Sequence, residues 1–278
     1  MRKISTFFAH LRELARQEGW PLEAALDYAR ELGVCAVDID SIDIDDATQL
    51  GRMLEKAGLE VSSICFMFDG DAPALCEKNR HALEAASVLH PRTVMPIPGF
   101  FRTQTPEGRR EERMRAIAVE KALVAEILAL GLIPTMEDYD HALSPIGTLR
   151  GMQDFLEAIP ELQVAFDTGN FRFSGVEVME AFFPLRSRIR HVHCKDRLIL
   201  SRREEAFAQR YGEGKDAVDG ACLYPCACGR GNIPIGAILD LLCEDGFQGY
   251  LSAEFFGSAH MRETLRHSAA FLSMWTER

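Results

Sequence analysis

The chain has 278 residues, of which 47% are hydrophobic and 26% are charged, as is ordinary for a globular protein with a large core. The formal net charge of −11 at pH 7 argues against nucleic acid or an anionic membrane as the main partner, because both would repel the protein. No apolar run approaches the length of a membrane span, and the eight cysteines are scattered, so we expect reduced thiols in a cytoplasmic protein.

Short β-rich runs alternate with longer amphipathic stretches along the whole chain. The predicted strands are Lys3–Ala9, Val34–Ile42, Glu60–Phe68, Thr93–Ile97, Ile133–Asp138, Gln163–Asp167, Ile189–Lys195 and Tyr250–Phe255. The predicted helices are Leu22–Leu32, Ala47–Ala57, Ala74–Leu89, Glu107–Leu130, Ile146–Ile159, Val176–Leu185, Ile235–Glu244 and Ala259–Trp275. This alternation predicts parallel strands joined by crossover helices. Eight such units favour a closed (β/α)8 barrel, the TIM barrel, because closure leaves no sheet edge exposed.

Glycines mark several of the predicted helix ends. Gly33, Gly58, Gly131 and Gly246 each lie between a helical pattern and the strand that follows, where glycine tolerates the left-handed conformation. No linker rich in proline, serine or glycine divides the chain, so we expect one barrel domain over residues 1–278. The first predicted strand is not followed by a G-x-G-x-x-G loop, which argues against a dinucleotide-binding fold.

One segment, residues 197–232, interrupts the alternation after the seventh predicted strand. It is rich in charge and glycine and ends in Cys228-Gly229-Arg230-Gly231-Asn232. A loop in this position lies at the carboxyl-terminal mouth of a barrel, where long loops commonly serve function. We expect an extended loop there, folded as a helical hairpin or a lid over the site.

Acidic or imidazole side chains recur near the carboxyl ends of the last four predicted strands. They are Glu137, Asp167, His193 and Glu254. These strand ends meet at one mouth of a barrel, where active sites are built. Strand alternation allows all four side chains to point inward together, since bulky neighbours such as Phe166 then face the helices.

Three carboxylates and one imidazole inside a barrel need a compensating charge. A divalent cation held by Glu137, Asp167, His193 and Glu254 would supply it. The oxygen-rich set suits Mn²⁺ or Mg²⁺, and the single imidazole is also compatible with Co²⁺ or Zn²⁺. For any one of these residues alone, an ordinary structural role is the better interpretation, whereas four on successive strands favour a metal site. His191, two residues below His193 on the same face, is interpreted as a core histidine.

The segments around these residues resemble the xylose-isomerase-like TIM barrel superfamily, in particular its sugar (phosphate) isomerase and 3-epimerase branch. The resembling motifs are Met136-Glu137-Asp138, Phe166-Asp167-Thr168-Gly169-Asn170, His191-Val192-His193-Cys194-Lys195-Asp196 and Ala253-Glu254-Phe255. The resemblance implies that the four candidates are metal ligands and that Glu137 and Glu254 also form the acid–base pair. One departure is Asn170, since many such epimerases carry a histidine there, and asparagine cannot carry a proton at neutral pH.

The hypothesis that follows is a divalent-metal-dependent isomerase or epimerase of a keto sugar or related polyol ketone. Glu137 or Glu254 removes a proton next to the carbonyl, a metal-bound enediolate forms, and the other glutamate returns a proton to the same or the neighbouring carbon. Candidate substrate-binding residues near the mouth are Asn170, Asp196, Arg197 and His141. For Asp196 and Arg197, an ion pair within the loop is an equally good interpretation.

Three alternatives stay open at this point. A metal-dependent dehydratase or lyase would use the same ligands and expel water after the enediolate forms. An apurinic-site-endonuclease-like hydrolase would need additional histidines, but the third and fourth predicted strands end in Phe68-Asp69 and Pro98-Gly99. A non-catalytic sugar-binding barrel is the third. The expected partner is a small sugar or polyol, with no nucleic acid and no membrane, and the apolar outer helices are compatible with a homo-oligomer.

Overall fold

A closed parallel barrel forms the centre of the computed structural model, which describes residues 2–276. Its strands within that range are β1 (Lys3–Phe7), β2 (Val34–Asp40), β3 (Glu60–Phe68), β4 (Thr93–Pro98), β5 (Ile133–Met136), β6 (Gln163–Asp167), β7 (Ile189–Cys194) and β11 (Tyr250–Ala253). Strand β1 pairs in parallel with β2 on one side and with β11 on the other, which closes the sheet. The predicted (β/α)8 TIM barrel is confirmed.

Helices surround the barrel and cover the apolar outer faces of its strands. They are α1 (Phe8–Glu18), α2 (Leu22–Glu31), α3 (Ala47–Ala57), α4 (Glu77–Leu89), α5 (Pro106–Ala129), α6 (Leu149–Ala158), α7 (Val178–Leu185), α9 (Ile235–Glu244) and α10 (Met261–Leu272). Each predicted helical stretch overlaps one of these helices, whereas α1 was not predicted. The glycines expected at helix ends all have positive φ angles, with Gly58 at 69° and Gly131 at 74°, so their backbone is left-handed.

The beginning of the chain differs from the sequence prediction. The first strand was expected to reach Ala9, but β1 ends at Phe7 and α1 begins at Phe8. The apolar run across this boundary fits a strand as well as a helix. Burial of Phe8, Leu11 and Leu14 follows helical spacing, and this packing against the barrel decides the outcome.

The segment after β7 forms a small antiparallel sheet rather than a helical hairpin. It contains β8 (Asp196–Leu200), the short helix α8 (Glu205–Tyr211), β9 (Lys215–Asp216) and β10 (Cys222–Cys226), with β10 between the other two strands. Of the two forms expected over residues 197–232, a helical hairpin or a lid over the site, the helical hairpin is therefore wrong. Tyr224 on β10 is fully buried, and its hydroxyl donates to the backbone oxygen of Glu204, which fastens the sheet to the start of α8. We refer to residues 196–226 as the mouth sheet.

A buried polar layer fills the barrel below its carboxyl-terminal mouth. Asp38 on β2 accepts hydrogen bonds from the hydroxyls of Ser62, at 2.6 Å, and Ser252. Nε2 of His191 lies 3.2 Å from Oδ1 of Asp38, so this histidine lies inside the barrel, facing inward as its strand position indicated. The layer supports the strands that carry the candidate site directly above it.

Candidate metal centre

The four predicted ligands meet in one buried cluster at the carboxyl ends of their strands. Asp167 is the last residue of β6 and His193 lies within β7, while Glu137 and Glu254 directly follow β5 and β11. One ligand atom from each residue lies within 4.8 Å of the other three, and all four residues are buried. Parallel strands of similar register place these ends at one level, as the pairing of Asp167 with His193 shows directly.

The imidazole of His193 lies between the two glutamates. Its Nδ1 atom is 2.5 Å from Oε2 of Glu137 and 3.4 Å from Oε2 of Glu254. Burial opposes a charge on this ring, but attraction to both carboxylates and the hydrogen bond to Glu137 outweigh burial and raise the pKa of His193 to about 10. Without a metal ion, the protonated imidazole therefore compensates part of the negative charge.

Lys195 supplies the second compensating charge and was not among the predicted site residues. Its Nζ atom lies 3.2 Å from Oδ2 of Asp167, forms an ion pair with Oε1 of Glu254, and donates to Oδ1 of Asn170 at 2.6 Å. Burial disfavours the charged amine, but Asp167 and Glu254 raise the pKa of Lys195 overall. The sequence held a signal for it, because Lys195 shares the strand parity of His193.

Two buried acids in and beside the cluster have raised pKa values, so their charged forms are disfavoured. Burial raises the pKa of Asp167, and repulsion from Glu254 adds to this rise, while Lys195 opposes it. Burial also raises the pKa of the adjacent Asp138, with further contributions from Asp167 and Glu137. Burial is the larger cause of both shifts, and repulsion from neighbouring carboxylates adds to it.

The donor atoms fit a divalent ion. Within residues 2–276, Oδ2 of Asp167, Oε2 of Glu254 and Nε2 of His193 are buried and make no hydrogen bond of acceptable geometry, although Lys195 lies at ion-pair distance from Asp167. Buried polar atoms of this kind are normally satisfied, so their concentration in one cluster points to a ligand. Three carboxylates and one imidazole form a donor set of the type that binds Mn²⁺ or Mg²⁺.

Of the four candidate substrate-binding residues, two line the cavity above the cluster and two do not. Asn170 and Arg197 are buried and line the cavity above the cluster. The carboxylate of Asp196 instead accepts hydrogen bonds from the backbone N–H groups of Gly231 and Ile233, and Asp196 is not among the residues that line the cavity. His141 is also outside the lining and stacks on Phe100, with ring centroids 4.1 Å apart.

A cavity of about 700 Å³ opens directly above the cluster. Phe7, Ile97 and Phe256 contribute apolar wall, and the mouth sheet contributes the polar stretch from Glu213 to Asp216. A volume of this size is typical of small-molecule sites that combine apolar walls with a few polar groups. The segment after β7 thus takes part in the cavity, as its position in the chain predicted.

Asp140 is a further cavity residue that the sequence did not reveal. Its Oδ2 atom lies 3.2 Å from Nη2 of Arg197, and its Oδ1 atom lies 2.8 Å from Nζ of Lys215. Burial disfavours the carboxylate, but Lys195, Lys215 and Arg197 together lower the pKa of Asp140. Its partners come from other parts of the chain, so only the folded arrangement identifies this residue.

The sequence is similar to a known protein family and to a known protein. A sequence model described as xylose isomerase-like TIM barrel matches residues 26–274. The Rhizopine catabolism protein MocC of Rhizobium meliloti is 26% identical over 262 residues, which cover 84% of this chain and 74% of that protein. Within residues 2–276, no helix combines the length and apolar character required to cross a membrane.

Two solved structures illustrate how similar folds serve different reactions. The 3-keto-D-glucoside 4-epimerase YcjR of E. coli is 18% identical, with a TM-score of 0.67, and the match covers 99% of this chain and 100% of that one. The probable 3-DHS dehydratase AsbF of Bacillus anthracis is 15% identical, with a TM-score of 0.69, and the match covers 98% of both chains. At these identities the likeness concerns the fold alone.

Proposed function

Because this chain belongs to the xylose isomerase-like TIM barrel family, we propose that it is a divalent-metal-dependent isomerase or epimerase of a keto sugar or a related polyol ketone. The observation that carries the proposal is the buried convergence of Glu137, Asp167, His193 and Glu254 below an open cavity. An epimerase of similar fold supports the same class of substrate. The acidic net charge of −11 is consistent with a small neutral ligand rather than nucleic acid.

Glu137, Asp167, His193 and Glu254 would hold the ion, with Mn²⁺ or Mg²⁺ favoured by the oxygen-rich donors and Co²⁺ or Zn²⁺ also compatible. A divalent ion bound there would supply Lewis acidity, which would make a proton next to a ketone carbonyl easier to remove. The chain itself supplies the proton transfer, the orientation of substrate and the exclusion of water.

Glu137 and Glu254 are the proposed acid–base pair. Both line the cavity, and they come from β5 and β11, which are separated in the barrel by β6 and β7. The two carboxylates therefore reach a substrate from different directions, as is needed to remove a proton on one side and return one on the other. Return to the same carbon gives epimerisation, and return to the neighbouring carbon gives isomerisation.

Arg197 is the proposed substrate-orienting residue, and Asn170 and Lys195 support the cluster below it. The side-chain amide of Asn170 is occupied on both sides, since Nδ2 donates to the backbone oxygen of Asp138 at 2.8 Å and Oδ1 accepts from Lys195. Asn170 therefore acts chiefly as a positioning residue that holds the ammonium of Lys195 against the cluster. Arg197 lines a cavity partly covered by the mouth sheet and is the residue proposed to donate to substrate oxygens there, whereas the donors of Lys195 are taken up by the cluster.

A dehydratase is the alternative function that the experiment must distinguish. The same glutamate would remove the proton, and a hydroxyl on the adjacent carbon would leave with a proton from the other glutamate. The dehydratase of similar fold favours this possibility. The two reactions differ in product, because a dehydratase releases water and forms a carbon–carbon double bond.

Hydrogen exchange with solvent tests the proposal. Ketoses and cyclic polyol ketones are incubated with the Mn²⁺-loaded protein in D₂O, and NMR reads the position of deuterium. We expect incorporation next to the carbonyl, and we expect Glu254→Gln to lower its rate by about 10²- to 10⁴-fold. Glu263→Gln, an exposed change on α10, is the matched control and should keep the wild-type rate. Near-normal exchange in Glu254→Gln, or no exchange with any ketone, would refute the proposal, and water loss would identify the dehydratase.

A further inference from the structure

The cationic side chains of the cavity are all engaged by carboxylates. The four cationic residues among the described lining residues are Lys195, Arg197, Arg203 and Lys215. Lys195 is engaged by Asp167 and Glu254, as described above, and Nη2 of Arg203 lies 3.2 Å from Oδ2 of Asp216. Each of the four therefore already has a carboxylate partner within ion-pair distance.

Asp140 engages the remaining two cations at once. Each of its oxygens faces a different partner, with Arg197 on Oδ2 and Lys215 on Oδ1. Its side chain is only 14% exposed, and Lys215 is held further by the ring of Phe173, 5.0 Å from its Nζ atom to the ring centroid. A phosphate or carboxylate of a substrate that binds between these two cations would have to displace this buried carboxylate.

The cavity as a whole is acidic. Its described lining includes eight carboxylates against the four cations, and one of the eight, Asp43, pairs with Arg12 outside the lining. A bound divalent ion would offset only part of this excess. An anionic substrate would therefore meet a repulsive field on entering, whereas an uncharged one would not.

Arg197 nevertheless keeps a hydrogen-bond donor free for a neutral group. Its side chain is buried, and its Nε atom has no hydrogen-bond partner within residues 2–276. A buried donor of this kind requires an acceptor, and a hydroxyl or ether oxygen provides one without adding charge. Asp140 thus engages the Nη2 end of Arg197 and leaves its Nε atom without a partner.

We propose that the substrate is an uncharged polyol ketone without phosphate or carboxylate groups, and that Asp140 is the specificity-determining residue that excludes the phosphorylated counterpart. This inference rests on the proposed function, since it names the substrate class of the same site. Specificity of this kind comes from an element that penalises the wrong ligand as well as from contacts to the right one.

The test measures deuterium exchange on the Mg²⁺-loaded protein with D-fructose and with D-fructose 6-phosphate. Each further ketose that undergoes exchange is compared with its own phosphate ester in the same way. Inorganic phosphate is titrated separately into metal-free protein by calorimetry. The variants are Asp140→Asn, which frees Arg197 and Lys215, and Asp216→Asn, an exposed change that frees Arg203 if Asp140→Asn does not fold. Asp154→Asn is the matched control, because Asp154 also pairs with two arginines but lies outside the cavity lining.

We expect wild type and Asp154→Asn to favour the neutral sugar by about tenfold or more and to bind no inorganic phosphate. A folded Asp140→Asn or Asp216→Asn protein should bind phosphate and reduce this preference by about tenfold. A wild-type preference for the phosphate ester, or an unchanged ratio in both folded variants, would overturn the inference while leaving the proposed function intact. If neither sugar exchanges, the proposed function fails, and the phosphate titration alone decides: binding by wild type overturns the inference, and binding only by the variants supports it.

Discussion

Glu120 on α5 offers a sharp test of how burial controls charge in this protein. Its side chain is fully buried on the face of α5 that packs against β4 and β5, and neither carboxyl oxygen has a hydrogen-bond partner within residues 2–276. Burial raises the pKa of Glu120 well above its ordinary value. The substitution Glu120→Met keeps an unbranched chain with good helix propensity and removes the polar group.

The expected gain in stability has two parts. Removal of a buried, unpaired polar group should raise the free energy of unfolding by about 1–3 kcal/mol even where the carboxyl is protonated. Because the folded pKa lies above the unfolded one, the wild type is not penalised by ionisation at a pH below the unfolded pKa. As the pH rises from there towards the folded pKa, the wild type loses about 1.4 kcal/mol per pH unit. The advantage of Glu120→Met should therefore grow with pH over this window.

Urea unfolding followed by circular dichroism, at several pH values from about 5 to 8, measures both parts. The matched control is Glu126→Met, an exposed change on the same helix, which should alter stability by no more than about 0.5 kcal/mol. A Glu120→Met protein that is less stable than wild type, or whose advantage does not change with pH, would refute the reasoning.

The remaining predictions concern metal binding at the cluster and two glycines that follow β10 in the chain. The pKa of His193, about 10, keeps its imidazole protonated near neutral pH, so binding of Mn²⁺ should release a proton. The affinity for Mn²⁺ should therefore weaken about tenfold for each unit that the pH falls. Calorimetry in buffers of different ionisation enthalpy measures the proton release, and an affinity that does not depend on pH would contradict the prediction. A Cβ atom at Gly231 would lie 2.2 Å from Oδ1 of Asp196, so Gly231→Ala should destabilise the protein by about 1–3 kcal/mol. Gly236→Ala, where the nearest atom is 3.5 Å away, should not lower the melting temperature.

The barrel could be predicted because each of its units carries a local signal. Apolar periodicity gives strand or helix, and glycines such as Gly58 mark the points where helices end. The four candidate ligands followed from the same logic, since equivalent positions on successive parallel strands must converge at one mouth. The structure brings Glu137, Asp167, His193 and Glu254 together as this reasoning requires.

The parts that could not be predicted depend on contacts between distant residues. Strands β8 and β10 pair from Asp196 with Cys226 to Leu200 with Cys222, and neither short run indicates its partner. Asp140 acquires its role only when Arg197 and Lys215 fold against it. The sequence marks Asp196 as a polar residue at the mouth, but not that backbone N–H groups would occupy its carboxylate.

The most direct test of the central claim is a measurement of bound metal on the folded chain. Metal-loaded wild type, freed of excess ion by gel filtration, should hold one Mn²⁺ per chain by elemental analysis. Asp167→Asn should lower the affinity by more than about tenfold while Asp154→Asn matches wild type. A folded wild-type protein that retains no divalent ion, or an Asp167→Asn protein that retains it equally well, would contradict the account.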